Sequence, residues 1–173
     1  RRGGRLIMNF ELPRPARTRV LVIDDERAVR RAQARVLASI VDEVIEAADG
    51  REAIELVASS AFDAVVSDVS MPGMDGLALL RRIREHDLDV PVVLVTGQPD
   101  VASAVQAVGL GAFNYLMKPV EPAALRDVVK RAIELHRIAR MKAEAFKLVQ
   151  GGHRPAAEMT ALHRGAPLGG PLD

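Results

Sequence analysis

Short apolar runs alternate along the chain with longer segments in which apolar residues return every three or four positions. The run "RVLVID", from Arg19, is continuous and β-branched, as a buried strand requires. Behind it Val29, Ala32, Val36, Leu37 and Ile40 recur at helical spacing. "EVIEA" predicts a second, weaker strand, and Ile54, Val57 and Ala58 mark the inward positions of the next helix. "FDAVVSD" predicts a third strand, followed by the helix "LALLRRIRE" with Leu80 and Ile83 inside. "VPVVLVT" predicts a fourth, followed by a helix marked by Val101, Ala104, Val105 and Val108 and capped by Asp100. "AFNYLMK" predicts a fifth, and the last helix opens at Pro122, a residue suited to a first turn.

Five strands alternating with five helices predict an α/β fold with a parallel sheet covered on both faces. Right-handed crossovers make it doubly wound, and the flavodoxin-like order 2-1-3-4-5 is the favoured arrangement. The chain then divides into a flexible lead-in (1–18), a domain (19–138), a helical extension (139–150) and a linker or disordered tail (151–173). The tail is rich in Gly and Pro, and Met8 inside the Arg-rich lead-in is a candidate start. Along the last helix Leu125, Val128, Ala132, Leu135, Ala139, Lys142, Phe146 and Val149 alternate spacings of three and four. That is a heptad seam with one polar break. Its first half is expected on the sheet and its second against another copy.

Composition narrows the function classes. Only five residues are aromatic (Phe10, Phe62, Phe113, Tyr115 and Phe146), so the core must be aliphatic. A net charge of +1 gives no electrostatic case for nucleic-acid binding. The absence of Cys excludes disulfides and thiolate metal sites and fits a reducing compartment. No apolar run reaches the ~18–20 residues that span a bilayer, and the N-terminal stretch lacks a secretory pattern. A cytoplasmic location without membrane association is expected. The four His are scattered without metal-ligand spacing.

Chemistry concentrates at the predicted strand ends. Ligands of an open α/β sheet bind beyond the carboxyl ends of its strands, where strand order reverses. For this order that point lies between strands 1 and 3. Asp24 and Asp25 end strand 1 and Asp68 ends strand 3, and neighbouring strands lie ~4.8 Å apart. Two like charges ~4 Å apart repel by about 1 kcal/mol in water and about 4 kcal/mol near a protein surface. A hard cation such as Mg²⁺ suits this all-oxygen set. Lys118, ending strand 5, adds a second positive charge, and Thr96, ending strand 4, adds a hydroxyl. A carboxylate so placed can attack phosphorus, and Asp68 is the central candidate.

"LVIDDE", "SDVSMPGMDG", "LVTG" and "YLMKP" resemble, in order and spacing, the motifs of the response regulator receiver domain of two-component signalling. The resemblance covers residues 18–138. It implies that Asp68 is phosphorylated, that Asp25 and Asp68 bind Mg²⁺ directly, and that Asp24 acts through water. It implies the Ser70 carbonyl as a further ligand, Thr96 and Tyr115 as a switch pair, and Lys118 as the family's lysine at a cis Lys118–Pro119 bond. It also implies a sensor histidine kinase as phosphodonor and an output domain or effector protein as recipient of the signal. A homodimer is implied through the face of helix 4, strand 5 and helix 5, or through the C-terminal helix. The protein's own chemistry would be confined to self-phosphorylation and slow self-dephosphorylation. Two readings compete: a Mg²⁺-dependent phosphohydrolase and an interaction module that is never phosphorylated. Adjacent acids and short loops disfavour the first, and the complete set of site residues disfavours the second.

Overall fold

The computed structural model describes residues 17–151, so most of the expected lead-in and tail lies outside the described residues. Strands β1 (Arg19–Ile23), β2 (Glu43–Ala47), β3 (Ala64–Asp68), β4 (Val92–Thr96) and β5 (Asn114–Met117) alternate with helices. These are α1 (Arg27–Leu37), α2 (Gly50–Ser59), α3 (Gly76–His86), α4 (Val101–Gly109) and α5 (Pro122–Gly151). All strand pairs are parallel and the sheet order is β2-β1-β3-β4-β5, as expected.

The continuous apolar runs have a simple cause: successive side chains leave a strand on opposite faces, and both faces are covered. Leu21, Ile23, Val65 and Leu94 pack on one face with Ala53, Leu79, Leu80, Ile83 and Ala107 of α2, α3 and α4. Val20, Val22, Val66, Val93 and Val95 pack on the other with Leu37 of α1 and Leu125, Val129 and Ile133 of α5. Each such aliphatic residue, fully removed from water, contributes about 1.5–3 kcal/mol. Helix starts are fixed locally. Asp49, Asp75 and Asp100 accept the backbone N–H of Glu52, Ala78 and Ser103 at 2.9, 2.7 and 2.8 Å. On α3, Arg84 donates to the carbonyls of Val90 and Gly111, joining that helix to the start of β4 and the loop before β5.

Several inward positions differ from expectation. On α2 Ala58 is exposed, whereas Ala53 is buried. On α1 Ala32 is exposed, and Gln33, Ala34 and Leu37 are buried. The largest departure is α4, where Val101, Val105 and Val108 are 81%, 65% and 76% exposed and only Ala107 is buried. The stripe that predicts this helix faces solvent. On α5 Leu125, Val128 and Ala132 are buried as expected, but Leu135 is 52% exposed. The chain divides into two compact units between Arg137 and Ile138. In the first, Arg137 bonds the Thr18 hydroxyl and lies 3.8 Å from Asp63.

One contact ties the fold to the strand ends. The Gly76 N–H donates to the Val69 carbonyl at 2.8 Å. A Cβ on Gly76 would stand 2.4 Å from the carbonyl oxygen of Asp68 and 2.8 Å from the Val69 Cα. Both neighbours are backbone and cannot swing aside. Gly76→Ala is therefore expected to cost about 1–3 kcal/mol by overpacking, read as a lower urea midpoint, because α3 must back away from the end of β3. An unchanged midpoint would show that α3 tolerates displacement there.

Candidate functional site

Asp68 is the last residue of β3, flanked by β1 and β4. Asp24 and Asp25 follow the last residue of β1. Parallel strands bring these ends to one edge, and carboxylate oxygens of Asp24, Asp25 and Asp68 lie within 4.8 Å of one another. Asp24 and Asp68 are buried, while Asp25 is exposed.

Lys118 follows β5 and reaches across the edge. Its Nζ donates to Asp24 Oδ2 at 2.8 Å and lies 3.2 Å from Asp68 Oδ1. The second approach is close enough for charge attraction but is not aligned as a hydrogen bond. Among the described residues, Asp68 Oδ1 is thus buried with the Lys118 ammonium nearby but without an aligned hydrogen bond. Such an atom costs free energy unless something else satisfies it. Burial is the main cause that holds the Asp68 carboxyl above the usual carboxylate range, and Asp24 adds to it; Lys118 and the Ser70 backbone N–H act in the opposite direction. For Lys118, burial works against the ammonium, but the bond to Asp24 and the charges of Asp24 and Asp68 outweigh it and raise its pKa. Three carboxylates facing one ammonium leave a formal charge of −2 when all are ionised.

The other expected residues fall into two groups. Thr96 ends β4 fully buried, and its hydroxyl oxygen accepts the Gln98 N–H at 3.1 Å. Ser70 is exposed just past β3. Lys118–Pro119 is cis. Tyr115 stands apart from the acids: its hydroxyl lies 2.7 Å from Ser103 Oγ on α4. Three supporting groups lie outside the expected set: Arg30, the Glu26 N–H and Ser103. Arg30 donates to the Asp24 carbonyl at 2.6 Å and pairs with Glu46 at 3.1 Å, bracing the turn that holds the acids. The Glu26 N–H donates to Asp24 Oδ1 at 2.8 Å. Arg30 sits in a run of arginines with nothing in its spacing to single it out. Ser103 carries only the weak signal of lying three residues beyond an N-cap.

Comparison with known proteins identifies the family and the fold. The model of the family "response regulator receiver domain" matches residues 20–130. The C4-dicarboxylate transport transcriptional regulatory protein DctD of Pseudomonas aeruginosa is 42% identical over 126 residues, which are 73% of this chain and 27% of that protein. The response regulator MprA of Mycolicibacterium vanbaalenii is 42% identical over 65% of this chain and 48% of its own length. The chain therefore spans about a quarter to a half of these relatives. The crystal structure of Vibrio cholerae chemotaxis protein CheY4 superposes with a TM-score of 0.64 at 30% identity, covering 68% of this chain and 99% of that one. On sequence and architecture together, the chain belongs to the response regulator receiver domain family.

Proposed function

We propose that this chain is a phosphoacceptor switch in which a sensor histidine kinase donates a phosphoryl group to Asp68 in a Mg²⁺-dependent reaction. The observation that carries this reading is the condition of Asp68. Among the described residues its Oδ1 is buried without an aligned hydrogen bond, inside a group of three carboxylates that one lysine does not neutralise.

The donor set fits a hard divalent cation, being all oxygen and formally −2. Asp25, Asp68 and the Ser70 carbonyl would hold it directly. Asp24 would act through water, since its two oxygens already serve Lys118 and the Glu26 N–H. Bound there, Mg²⁺ would supply positive charge to the oxygens of the transferring group. An Asp68 oxygen forms the new bond to phosphorus as the P–N bond of the phosphohistidine breaks, and the imidazole nitrogen keeps that electron pair. Lys118, held charged by Asp24 and Asp68, faces the same oxygens. A groove lined by Val29, Val36, Pro119, Val120 and Leu125 borders Lys118 and gives the kinase an apolar surface beside the site.

Read-out runs from Thr96, at the site, to Tyr115, which stands apart from it. The Thr96 hydroxyl leaves the Gln98 N–H for a phosphoryl oxygen, and Tyr115 turns into the space released. The face of α4, β5 and α5 then repacks and controls an output domain or effector within a longer regulator. Twofold assembly through α5 is part of this proposal. Ile138, Met141, Ala145 and Leu148 follow 3,4,3 spacing, and the three large ones are 48%, 68% and 78% exposed. They lie one residue from the expected seam Ala139, Lys142, Phe146 and Val149, and together the two rows make a broad apolar face.

Incubation with Mg²⁺ and acetyl phosphate is expected to add the mass of one phosphoryl group to Asp68 in intact-protein mass spectrometry. Chelation and Asp68→Asn should each abolish the adduct. Sustained release of phosphate without an adduct would instead indicate a phosphohydrolase, and no reaction an interaction module. Relieving the crowded carboxylates should stabilise the metal-free fold. Asp68→Asn is expected to gain about 1 kcal/mol, or about 4 °C in Tm, in chelator. Mg²⁺ should raise the Tm of the parent protein only. In sedimentation equilibrium, Ile138→Glu with Leu148→Glu should give monomers where the parent forms dimers. If Val105→Glu, on α4, gives monomers and the α5 pair does not, assembly runs through α4.

A further inference from the structure

The hydroxyl of Tyr115 is engaged by a short chain of groups at the start of α4. Tyr115 Oη lies 2.7 Å from Ser103 Oγ, and Ser103 Oγ lies 2.7 Å from Asp100 Oδ2 and 3.1 Å from the Asp100 carbonyl oxygen. The other carboxylate oxygen of Asp100 takes the Ser103 N–H at 2.8 Å and so caps the helix. The direction of the Tyr115 bond follows from counting protons. A serine hydroxyl has one, and both Asp100 atoms beside it can only accept. Ser103 donates to Asp100, and Tyr115 O–H therefore donates to Ser103 Oγ. Asp100 itself is held ionised at neutral pH by its bonds from Ser103, which put its carboxyl below the usual range. The result is a directed chain, phenol to serine to carboxylate, in which each bond polarises the next.

We infer that Ser103 is a positioning residue that latches Tyr115 to the N-cap of α4 and thereby biases this chain toward its unphosphorylated arrangement. The inference rests on the switch reading above and goes beyond it. Tyr115 cannot turn toward the space beside Thr96 without giving up Ser103, so the latch opposes switching by the worth of that bond. It also gives α4 a reason to move with Tyr115. The helix cap and the tyrosine share one side chain, and α4 has Ala107 as its single buried residue to hold it in place. When Tyr115 leaves, Ser103 keeps its bonds to Asp100, and the first turn of α4 loses its tie to β5.

The chain is well suited to a test, because Tyr115 is its only tyrosine and it has no tryptophan. Tyrosine signals therefore report this one phenol. In the metal-free protein, ultraviolet resonance Raman spectra of Ser103→Ala should show the tyrosine doublet losing its donor signature, and Ser103→Thr should restore it. Titration with beryllofluoride in Mg²⁺, followed by tyrosine emission, should show Ser103→Ala switching at an about two- to tenfold lower concentration than the parent. That range corresponds to one neutral hydrogen bond. Ser103→Thr should return to the parent value, a rescue that a merely structural effect on α4 would not give. Equal half-saturation for parent and Ser103→Ala, whatever the Raman result, would overturn the latch while leaving the phosphoacceptor reading intact. A parent protein that ignores beryllofluoride would overturn both.

Discussion

The carboxyl edge of the sheet holds more negative charge than its own lysine balances, and much of the molecule is arranged around that excess. Asp24 and Asp68 are removed from water, where repulsion between like charges is least screened. Lys118 answers part of it through a hydrogen bond to Asp24 and a looser approach to Asp68. The residue left short is Asp68, whose Oδ1 has no aligned hydrogen bond among the described residues. A fold selected for stability alone would supply one or exchange the acid for an apolar side chain. That the acid stays, braced by Arg30 behind Asp24 and by Gly76 pressed on the backbone of Asp68, fits a site that stores unfavourable charge for chemistry.

Packing decides how firmly each part of that site is held. β3 and β4 are buried over their full length, and β1 over all but Arg19. The carboxylates proposed to meet a cation therefore stand at the ends of the most deeply buried strands. β5 is only half-buried, with Met117 exposed. Of the proposed read-out pair, Thr96 ends the buried β4, whereas Tyr115 on β5 and its partner Ser103 on α4 lie on the loosely packed side. Rigid chemistry beside a soft read-out is the arrangement that a local change of charge can exploit.

The fold and the acidic cluster are legible in the sequence for one reason. Both depend on periodicity and on strand ends, and a chain printed in order displays these. "LVIDDE" and "VVSD" show an apolar run stopping at acids, and parallel topology then brings the acids together. Burial on helices was less legible. Val101, Val105 and Val108 have the spacing of a core stripe yet face water, because α4 rests on the sheet through Ala107. Ala53 and Ala58 of α2 are the same residue type, and only the proximity of neighbouring elements buries the first and exposes the second. The proton chain from Tyr115 through Ser103 to Asp100 depends on where α4 lies beside β5, which no spacing rule encodes. Arg30 was hidden for a related reason: an arginine becomes a brace only when a carbonyl comes within its reach.

The exposed valines of α4 bear on how such a switch is balanced. A helix that buried Val101, Val105 and Val108 would gain several kcal/mol of apolar burial and would be hard to shift. Facing them outward leaves α4 held by one alanine, by Arg84 through the loop that follows it, and by the polar chain at its start. Polar ties suit this place because they can be exchanged: a hydroxyl that loses its partner can find water or another acceptor at little net cost. Apolar contacts offer no such exchange, since breaking them exposes surface. The same outward face offers a hydrophobic surface to the partner proposed to read the switch.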